Sequence, residues 1–204
     1  MHAIRNISFA IAFLLTIQFS FANEESSIHT KLGFRAGVGA SLLRHHAKLA
    51  NLKPMPSLAY SAGFVAQIDF GGQFSISPEL QYSVYNSHAE KVYKEEQGFD
   101  RLTEVGVTLH ALELPLLARY DFGGIYAEAG PQFGWNNHSK MHINADYFSP
   151  DLNPFAFGIT AGIGTDSYGI LLLGIRGYFG ILEYAKDAKG VPWSIQAGLS
   201  AFLF

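Results

Sequence analysis

Six charged side chains share one face of alternating apolar segments in this 204-residue chain. In the segment LHALELPLLARY (109–120), Leu112, Leu114 and Leu116 lie on one parity, and Glu113 and Arg119 lie on the other. Because successive residues of a strand point to opposite faces, the charges of such a segment share a face. The same pattern in other segments extends the set to Arg35, Glu79, Glu113, Arg119, Glu128 and Arg176.

Three arginines and three glutamates on one face support two kinds of chemistry. They can line a path for ions or protons, or they can form a paired network that allows charges to be buried without conducting. The equal numbers of the two signs favour the paired network. We therefore predict a structural charge network in the interior of the fold.

Motifs for catalysis are absent from the sequence, which has no hydrolase elbow, zinc HExxH motif or phosphate loop. His110 and Glu113 lie on opposite parities and cannot share a face without a bulge. Imidazoles bind zinc and copper, but the sequence favours solvated loop histidines over a loop metal site. We expect no enzyme, no cofactor and no metal. The histidines in or beside predicted loops are His45, His46, His88, His138 and His142.

The composition restricts the class of protein. The chain has no cysteine, which excludes disulfides, thiolate metal sites and a cysteine nucleophile. Only 15% of residues are charged, against roughly a quarter in ordinary soluble domains. The 14 basic residues are balanced by 17 acidic ones, so no basic surface for nucleic acid is expected.

The N-terminus is typical of a secretory signal peptide. Arg5 precedes an apolar stretch, ISFAIAFLLTIQFSF, and the small residues Ser20 and Ala22 precede a polar start, NEESS. This order predicts cleavage after Ala22, with a signal peptide at 1–22 and a mature domain at 23–204. The alternative, an uncleaved anchor, is disfavoured because the stretch is short and a cleavage site follows it.

The mature chain has an apolar period of two, which is typical of strands. Its longest apolar run, ILLLGI at 170–175, is too short for a transmembrane helix. Eight segments are predicted as strands, at 31–41, 58–70, 73–86, 105–121, 124–137, 155–165, 168–181 and 193–204.

The motif DFGG occurs at 69–72 and again at 121–124, each time between two predicted strands. Glycine tolerates the positive φ that two-residue hairpin turns require, so we predict tight turns at Gly71-Gly72 and Gly123-Gly124. Asp69 and Asp121 are expected to accept hydrogen bonds from nearby turn amides. Long loops, near 42–57, 87–104 and 138–154, are expected at the opposite end of the strands.

These features together predict an all-β fold, an eight-stranded antiparallel up-and-down transmembrane β-barrel. Closure pairs every strand edge, as the hydrocarbon region of a membrane requires. The predicted location is the outer membrane of a Gram-negative bacterium, with the glycine turns on the periplasmic side. A soluble lipocalin-like barrel also alternates, but glycines beside long Arg and Glu side chains fit the crowded polar lumen of a small membrane barrel.

Five segments resemble the PorT-like outer-membrane β-barrel family, which is common in Bacteroidetes. They are ISPELQYS (76–83), LELPLLARY (112–120), YAEAGPQFGW (126–135), GIRGYFGI (174–181) and IQAGLSAFLF (195–204). The resemblance implies a barrel that ends in an aromatic residue, here Phe204, as the insertion signal for the barrel assembly machinery. It implies no activity, although one named relative takes part in secretion across the outer membrane.

The C-terminus departs from that insertion signal. Phe202 shares the parity of Phe204, but the next residues of that parity, Ser200 and Gly198, are not apolar. Either a bulge shifts the phase near the end of the last strand, or Phe204 points inward.

Three function hypotheses follow. The first is a structural or interaction role through long extracellular loops, and the second is an accessory component of a secretion system or a narrow channel. The third is a soluble lipocalin-like binding barrel. The partners expected are outer-membrane lipid, the barrel assembly machinery and an unknown extracellular or secretion partner, without nucleic acid.

Overall fold

The computed structural model describes residues 28–43, 53–94, 100–143, 146–148, 152–167, 170–184 and 191–203. These residues form an all-β fold of nine strands, eight long and one of three residues. The strands are β1 (His29–Leu43), β2 (Lys53–Asp69), β3 (Phe74–Lys94), β4 (Asp100–Asp121), β5 (Ile125–Ile143), β6 (Asp146–Phe148), β7 (Phe155–Ser167), β8 (Leu171–Gly180) and β9 (Pro192–Phe202).

The eight long strands close into a barrel. Each pairs antiparallel with its neighbours in the sequence, and β9 pairs antiparallel with β1. The short β6 lies outside this circuit and pairs only with the end of β5 among the described strands. The predicted eight-stranded antiparallel up-and-down transmembrane barrel is confirmed.

The two faces of the wall differ in polarity. On β8, the outward residues Leu171, Leu173 and Ile175 are 43–59% exposed, whereas the inward Arg176 is 7% exposed. The outer face is therefore the apolar one, as contact with hydrocarbon requires. A soluble lipocalin-like barrel would have the reverse arrangement, with its apolar face inward, so that hypothesis is wrong. No helix among the described residues is long and apolar enough to cross a membrane.

Aromatic residues mark the two edges of the apolar band. Tyr120 and Phe122 pack against each other beside the glycine turn, with ring centroids 4.8 Å apart. At the other edge, Tyr82 and Trp135 flank Leu112 in the register of β3, β4 and β5. From Leu112 to Tyr120 the strand advances by eight residues, which span about 20 Å along the membrane normal at a rise of about 3.4 Å per residue and a tilt of about 40°. This height suits the apolar band of an outer-membrane barrel.

One side of the barrel is much taller than the other. Strands β3, β4 and β5 have 21, 22 and 19 residues, whereas β8 and β9 have 10 and 11. The pairing of β3 with β4 runs without interruption from Ser87↔Val107 to Lys94↔Asp100. The prediction of a loop at 87–104 is therefore wrong for all but residues 95–99, which lie outside the described residues. We call the extension formed by β2 to β6 the tall wall.

The other two predicted loops are also partly strand. β2 begins at Lys53, β5 continues to Ile143, and β6 lies within 138–154. These segments lack apolar alternation because both faces of a strand can be polar above the membrane. The rest of 42–57, from 44 to 52, lies outside the described residues.

The edges of the tall wall are protected against further strand pairing. The pairing of β1 with β2 ends at Ser41↔Ser57, so β2 residues 53–56 form an edge within the described part of the chain. That edge contains Pro54 and Pro56, which have no N–H to donate to another strand. At the opposite edge, β6 covers the end of β5.

Both glycine motifs form the turns at the short end of the barrel. Gly71, Gly72, Gly123 and Gly124 have φ of 80°, 82°, 93° and 96°. The connections span residues 70–73 and 122–124, so the prediction of two-residue turns is one or two residues too short.

The two aspartates of these motifs behave differently. Asp121 Oδ1 accepts hydrogen bonds from the amides of Gly123 (2.6 Å) and Gly124 (3.0 Å). Asp69 instead accepts from Gln67 Nε2 at 2.7 Å and lies 3.5 Å from Lys31 Nζ. The sequence therefore locates both turns but does not distinguish their hydrogen bonding.

Candidate functional site

The lower lumen contains a network of arginines and glutamates. Arg119 on β4 lies opposite Glu128 on β5 in the strand register, with its Nη2 nitrogen 2.9 Å from Glu128 Oε2. Arg176 on β8 binds the other oxygen of Glu128 through its Nε nitrogen. Glu128 therefore joins two guanidinium groups from different strands.

The network continues across the lumen to β3 and β1. Arg176 donates to both oxygens of Glu79, at 2.7 and 2.8 Å. Arg35 Nε lies 3.9 Å from Glu79 Oε2, and Arg35 Nη1 donates to Ser200 Oγ at 3.1 Å. Five of the six predicted residues are therefore brought together from β1, β3, β4, β5 and β8.

This network fills the lower part of the lumen. The five charged residues are at most 7% exposed. Arg119 also donates to Gln67 Oε1 at 2.6 Å and lies 4.4 Å from the centre of the Tyr126 ring. Such packing matches the expectation that eight strands enclose just enough space for side chains.

Glu113 is the exception, and its predicted place in the paired set is wrong. Its carboxylate accepts hydrogen bonds from Ser83 Oγ (2.5 Å), Tyr85 Oη (2.8 Å) and Gln81 Nε2 (3.1 Å). Glu113 lies six residues along β4 from Arg119, which is about 20 Å of strand. Its inward parity places Glu113 in the lumen, but at a different height along the barrel axis from Arg119. At that height its hydrogen-bond donors are neutral side chains and not arginines.

A small polar cavity separates these two layers. Its volume is about 20 Å³, and its lining includes Arg35, Arg176, Gln81 and Gln132. A water molecule needs about 10–15 Å³ and polar partners. Gln132 Nε2 is buried without a hydrogen-bond partner in the described structure, so one water here would satisfy it. The cavity is too small for a continuous water column.

An apolar cap covers the outer end of the lumen. Tyr85 and Tyr178 stack with ring centroids 6.1 Å apart, and they pack with Leu109 and with Tyr184 from the segment after β8. The amide of Asn153 donates to the carbonyl of Tyr184 at 3.0 Å, which ties two segments together over the barrel mouth. The lumen is closed at this end as well.

Sequence reasoning missed this cap. Tyr85 and Tyr178 share the inward parity of Glu79 and Arg176 on their strands, so the period of two contained the signal. Tyr184 follows the last residue of β8, where no strand period applies.

Several other predicted residues lie outside what the structure describes. Phe204 is one of them, as are the signal peptide at 1–22 and the pair His45-His46. The pairing of β9 with β1 runs without a shift to Phe202, which is 7% exposed, so no bulge changes the phase up to that residue.

The remaining candidate loop histidines lie in strands. His88 belongs to β3, and His138 and His142 belong to β5, so their placement in or beside loops is wrong. No group of three or more residues among His, Cys, Asp and Glu could hold a metal ion in the described part of the chain.

Comparison with solved structures supports the barrel fold. The chain is 9% identical to Neisserial surface protein A (NspA), covering 86% of this chain and 99% of that one, with a TM-score of 0.54. Two further structures align less closely. The outer membrane protein OprG from Pseudomonas aeruginosa is 14% identical, with 87% of this chain and 96% of that one covered and a TM-score of 0.46. Ail, the attachment invasion locus protein of Yersinia pestis, is 12% identical, with 84% of this chain and 99% of that one covered and a TM-score of 0.44. At such low identity the likeness shows the fold alone.

No curated protein matches the chain. The family model for "outer membrane protein beta-barrel domain" matches residues 18–186, most of the sequence. Together with a closed barrel that is apolar outside and polar inside, this match shows that the chain belongs to the outer membrane protein beta-barrel domain family.

Proposed function

We propose that this protein is a non-conducting outer-membrane barrel that presents the tall wall outside the cell as an interaction surface. The observation that carries the proposal is the unbroken pairing of β3 with β4 up to Lys94↔Asp100. From Leu112 to Asp100, β4 advances by twelve residues, which span about 40 Å of strand beyond the upper aromatic row. A membrane anchor alone does not need this extension.

The filled lumen supports an interaction role over a pore. The buried charges, the small polar cavity and the tyrosine cap follow one another along the barrel axis. Each layer removes space that hydrated ions would need. Transport through the lumen would require all three layers to rearrange.

The orientation in this proposal follows from the length of the connections. Outer-membrane barrels have short periplasmic turns and longer extracellular connections. The glycine turns would then face the periplasm, and signal peptide cleavage near Ala22 would leave the mature N-terminus on the same side.

A finer assignment within the family rests on sequence motifs. The segments LELPLLARY and YAEAGPQFGW resemble the PorT-like group, which favours an accessory role in secretion as a second candidate. Deletion of the gene should then reduce the set of secreted proteins. An unchanged set of secreted proteins would remove this second candidate.

The lumen leads to a conductance prediction. The wild-type protein in planar bilayers is expected to show no current steps above the lipid baseline, because charge network and cap both block the passage. The measurement is single-channel recording after detergent-mediated insertion. A steady ion current that Glu113→Ala alters without loss of stability would instead support a narrow channel.

The tall wall leads to a second prediction. Replacing residues 88–106 by Asn-Gly joins Ser87 to Val107, which are cross-strand partners, through a favoured two-residue turn. The shortened protein is expected to fold and to shift on unboiled gels, but to lose its neighbours in proximity labelling on intact cells. In the full-length protein, an epitope tag at residues 95–99 should be accessible on intact cells.

The matched control for this experiment is a tag between Gly71 and Gly72. That tag should become accessible only after the outer membrane is permeabilised, and it should leave the labelled neighbours unchanged. Labelling that is the same with and without residues 88–106 would contradict the proposed interaction surface. Access to the glycine-turn tag on intact cells would reverse the orientation.

A further inference from the structure

Two histidines face each other on the outer surface of the barrel. His110 on β4 and His138 on β5 are direct cross-strand partners, and their ring centroids lie 6.1 Å apart. They lie just beyond the row of Tyr82, Leu112 and Trp135, on the side away from the glycine turns. This position is outside the apolar band, at the level of the lipid headgroups.

A β-bulge creates this pairing. Ala111 pairs with Asn136, but the next residue of β4, His110, pairs with His138, so Asn137 is the extra residue. Below the bulge the even-numbered residues of β5 face the lumen, and Gln132 is 3% exposed. Beyond the bulge His138 faces outward and Ser139 is 3% exposed. In a regular strand, His138 would therefore point into the barrel.

This bulge disrupts the ladder and leaves Ser139 Oγ buried without a hydrogen-bond partner in the described structure. Bulges of this kind often re-aim a side chain next to a functional site. Here the side chain that is re-aimed is a histidine, and its new position is directly opposite another histidine.

The orientation of His110 is fixed from its other side. Tyr82 Oη lies 2.9 Å from His110 Nδ1. When Nδ1 donates to the tyrosine oxygen, Nε2 is left with a free lone pair. Histidines that bind metals are commonly held in this way by a hydrogen bond at the second ring nitrogen.

We propose that His110 and His138 together bind one divalent cation of the zinc or copper type. Zinc binds imidazole nitrogen at about 2.1 Å, so two rings that share an ion have centres about 6 Å apart or slightly less. Neutral imidazoles favour such cations over magnesium or calcium, which prefer oxygen ligands. The ion would link β4 to β5 where the tall wall leaves the membrane, with water in the other coordination positions.

The test is titration of the purified, detergent-folded protein with Zn²⁺ by isothermal calorimetry, with Mg²⁺ as the control cation. The wild type is expected to bind one Zn²⁺ per chain and no Mg²⁺. His110→Gln and His138→Gln should each abolish this binding. Tyr82→Phe removes only the orienting hydroxyl and should weaken binding by about tenfold or more.

The matched control is the double variant His45→Ala/His46→Ala, which removes two histidines adjacent in the sequence and leaves the proposed pair intact. It should bind Zn²⁺ like the wild type. All variants are first checked for folding by their gel shift without boiling. Three outcomes would overturn the proposal. They are Zn²⁺ binding that survives His138→Gln, Zn²⁺ binding that is lost in the His45→Ala/His46→Ala variant, and a stoichiometry of one ion for two chains.

Discussion

Replacing Arg176 by alanine is expected to lower the free energy of unfolding in detergent by about 3–5 kcal/mol, because it removes the arginine that bridges two buried carboxylates. Arg176 bridges Glu79 and Glu128, and the side chains of these two glutamates are each 1% exposed. Their remaining contacts with Arg35 and Arg119 would not replace the three hydrogen bonds lost. The measurement is denaturant unfolding followed by tryptophan fluorescence.

The control for this prediction is Lys31→Ala, which removes an ion pair of similar chemistry at the barrel end. Lys31 and Asp69 lie 3.5 Å apart with side chains 32% and 26% exposed. An exposed pair of this kind contributes about 1 kcal/mol or less. If Arg176→Ala costs no more than Lys31→Ala, water reaches the network and the lumen is not filled.

A combined variant separates loss of pairing from loss of packing. Changing Arg35, Arg119 and Arg176 to Met together with Glu79→Gln and Glu128→Gln removes the charges of all five network residues while keeping similar volumes. Replacing a whole buried ion network in this way is often neutral or stabilising. Stability close to that of the wild type would show that the cost of Arg176→Ala comes from stranded charge.

Two local rules are enough to place Arg119 opposite Glu128 in the lower network. The period of two assigns each residue of a strand to a face. The glycine turn after Asp121 then sets the register, in which Arg119 and Glu128 become cross-strand partners. Both rules act over a few residues, so they can be read without knowledge of the closed barrel.

The contact between Arg176 and Glu79 needed more than local rules. These residues lie on β8 and β3, which are not neighbours in the sheet, and they meet across the lumen only after closure. The relative positions of Arg176 and Glu79 along the barrel axis depend on the registers of all the strand pairs between β8 and β3. Parity could place both residues inside, but it could not show that Glu113 would be left out.

Two features escaped the sequence for a different reason. Above the membrane both faces of a strand can be polar, so the tall wall has little of the alternation by which strands are recognised. The bulge at Asn137 changes which parity of β5 faces inward, and this change turns His138 outward, opposite His110. A single extra residue has no clear signature in the sequence.

Replacing Glu113 by alanine is expected to cost about 2–3 kcal/mol, because buried donors then lose their acceptor. Tyr85, Ser83 and Gln81 all donate hydrogen bonds to this carboxylate. The residue Glu113 is only 2% exposed. Glu113→Gln is the matched control, since it keeps the volume and one acceptor oxygen and should cost less. An equal loss for both variants would show that the donors do not depend on the acceptor.

The decisive measurement combines Glu113→Ala with Arg176→Ala. Glu113 and Arg176 have no hydrogen-bond partner in common among the described residues. Independent sites add within about 0.3–0.5 kcal/mol, whereas members of one network do not. We therefore expect the two losses to add. A large departure from additivity would return Glu113 to the arginine network that the sequence pattern predicts, and it would mean that the small cavity couples the two layers.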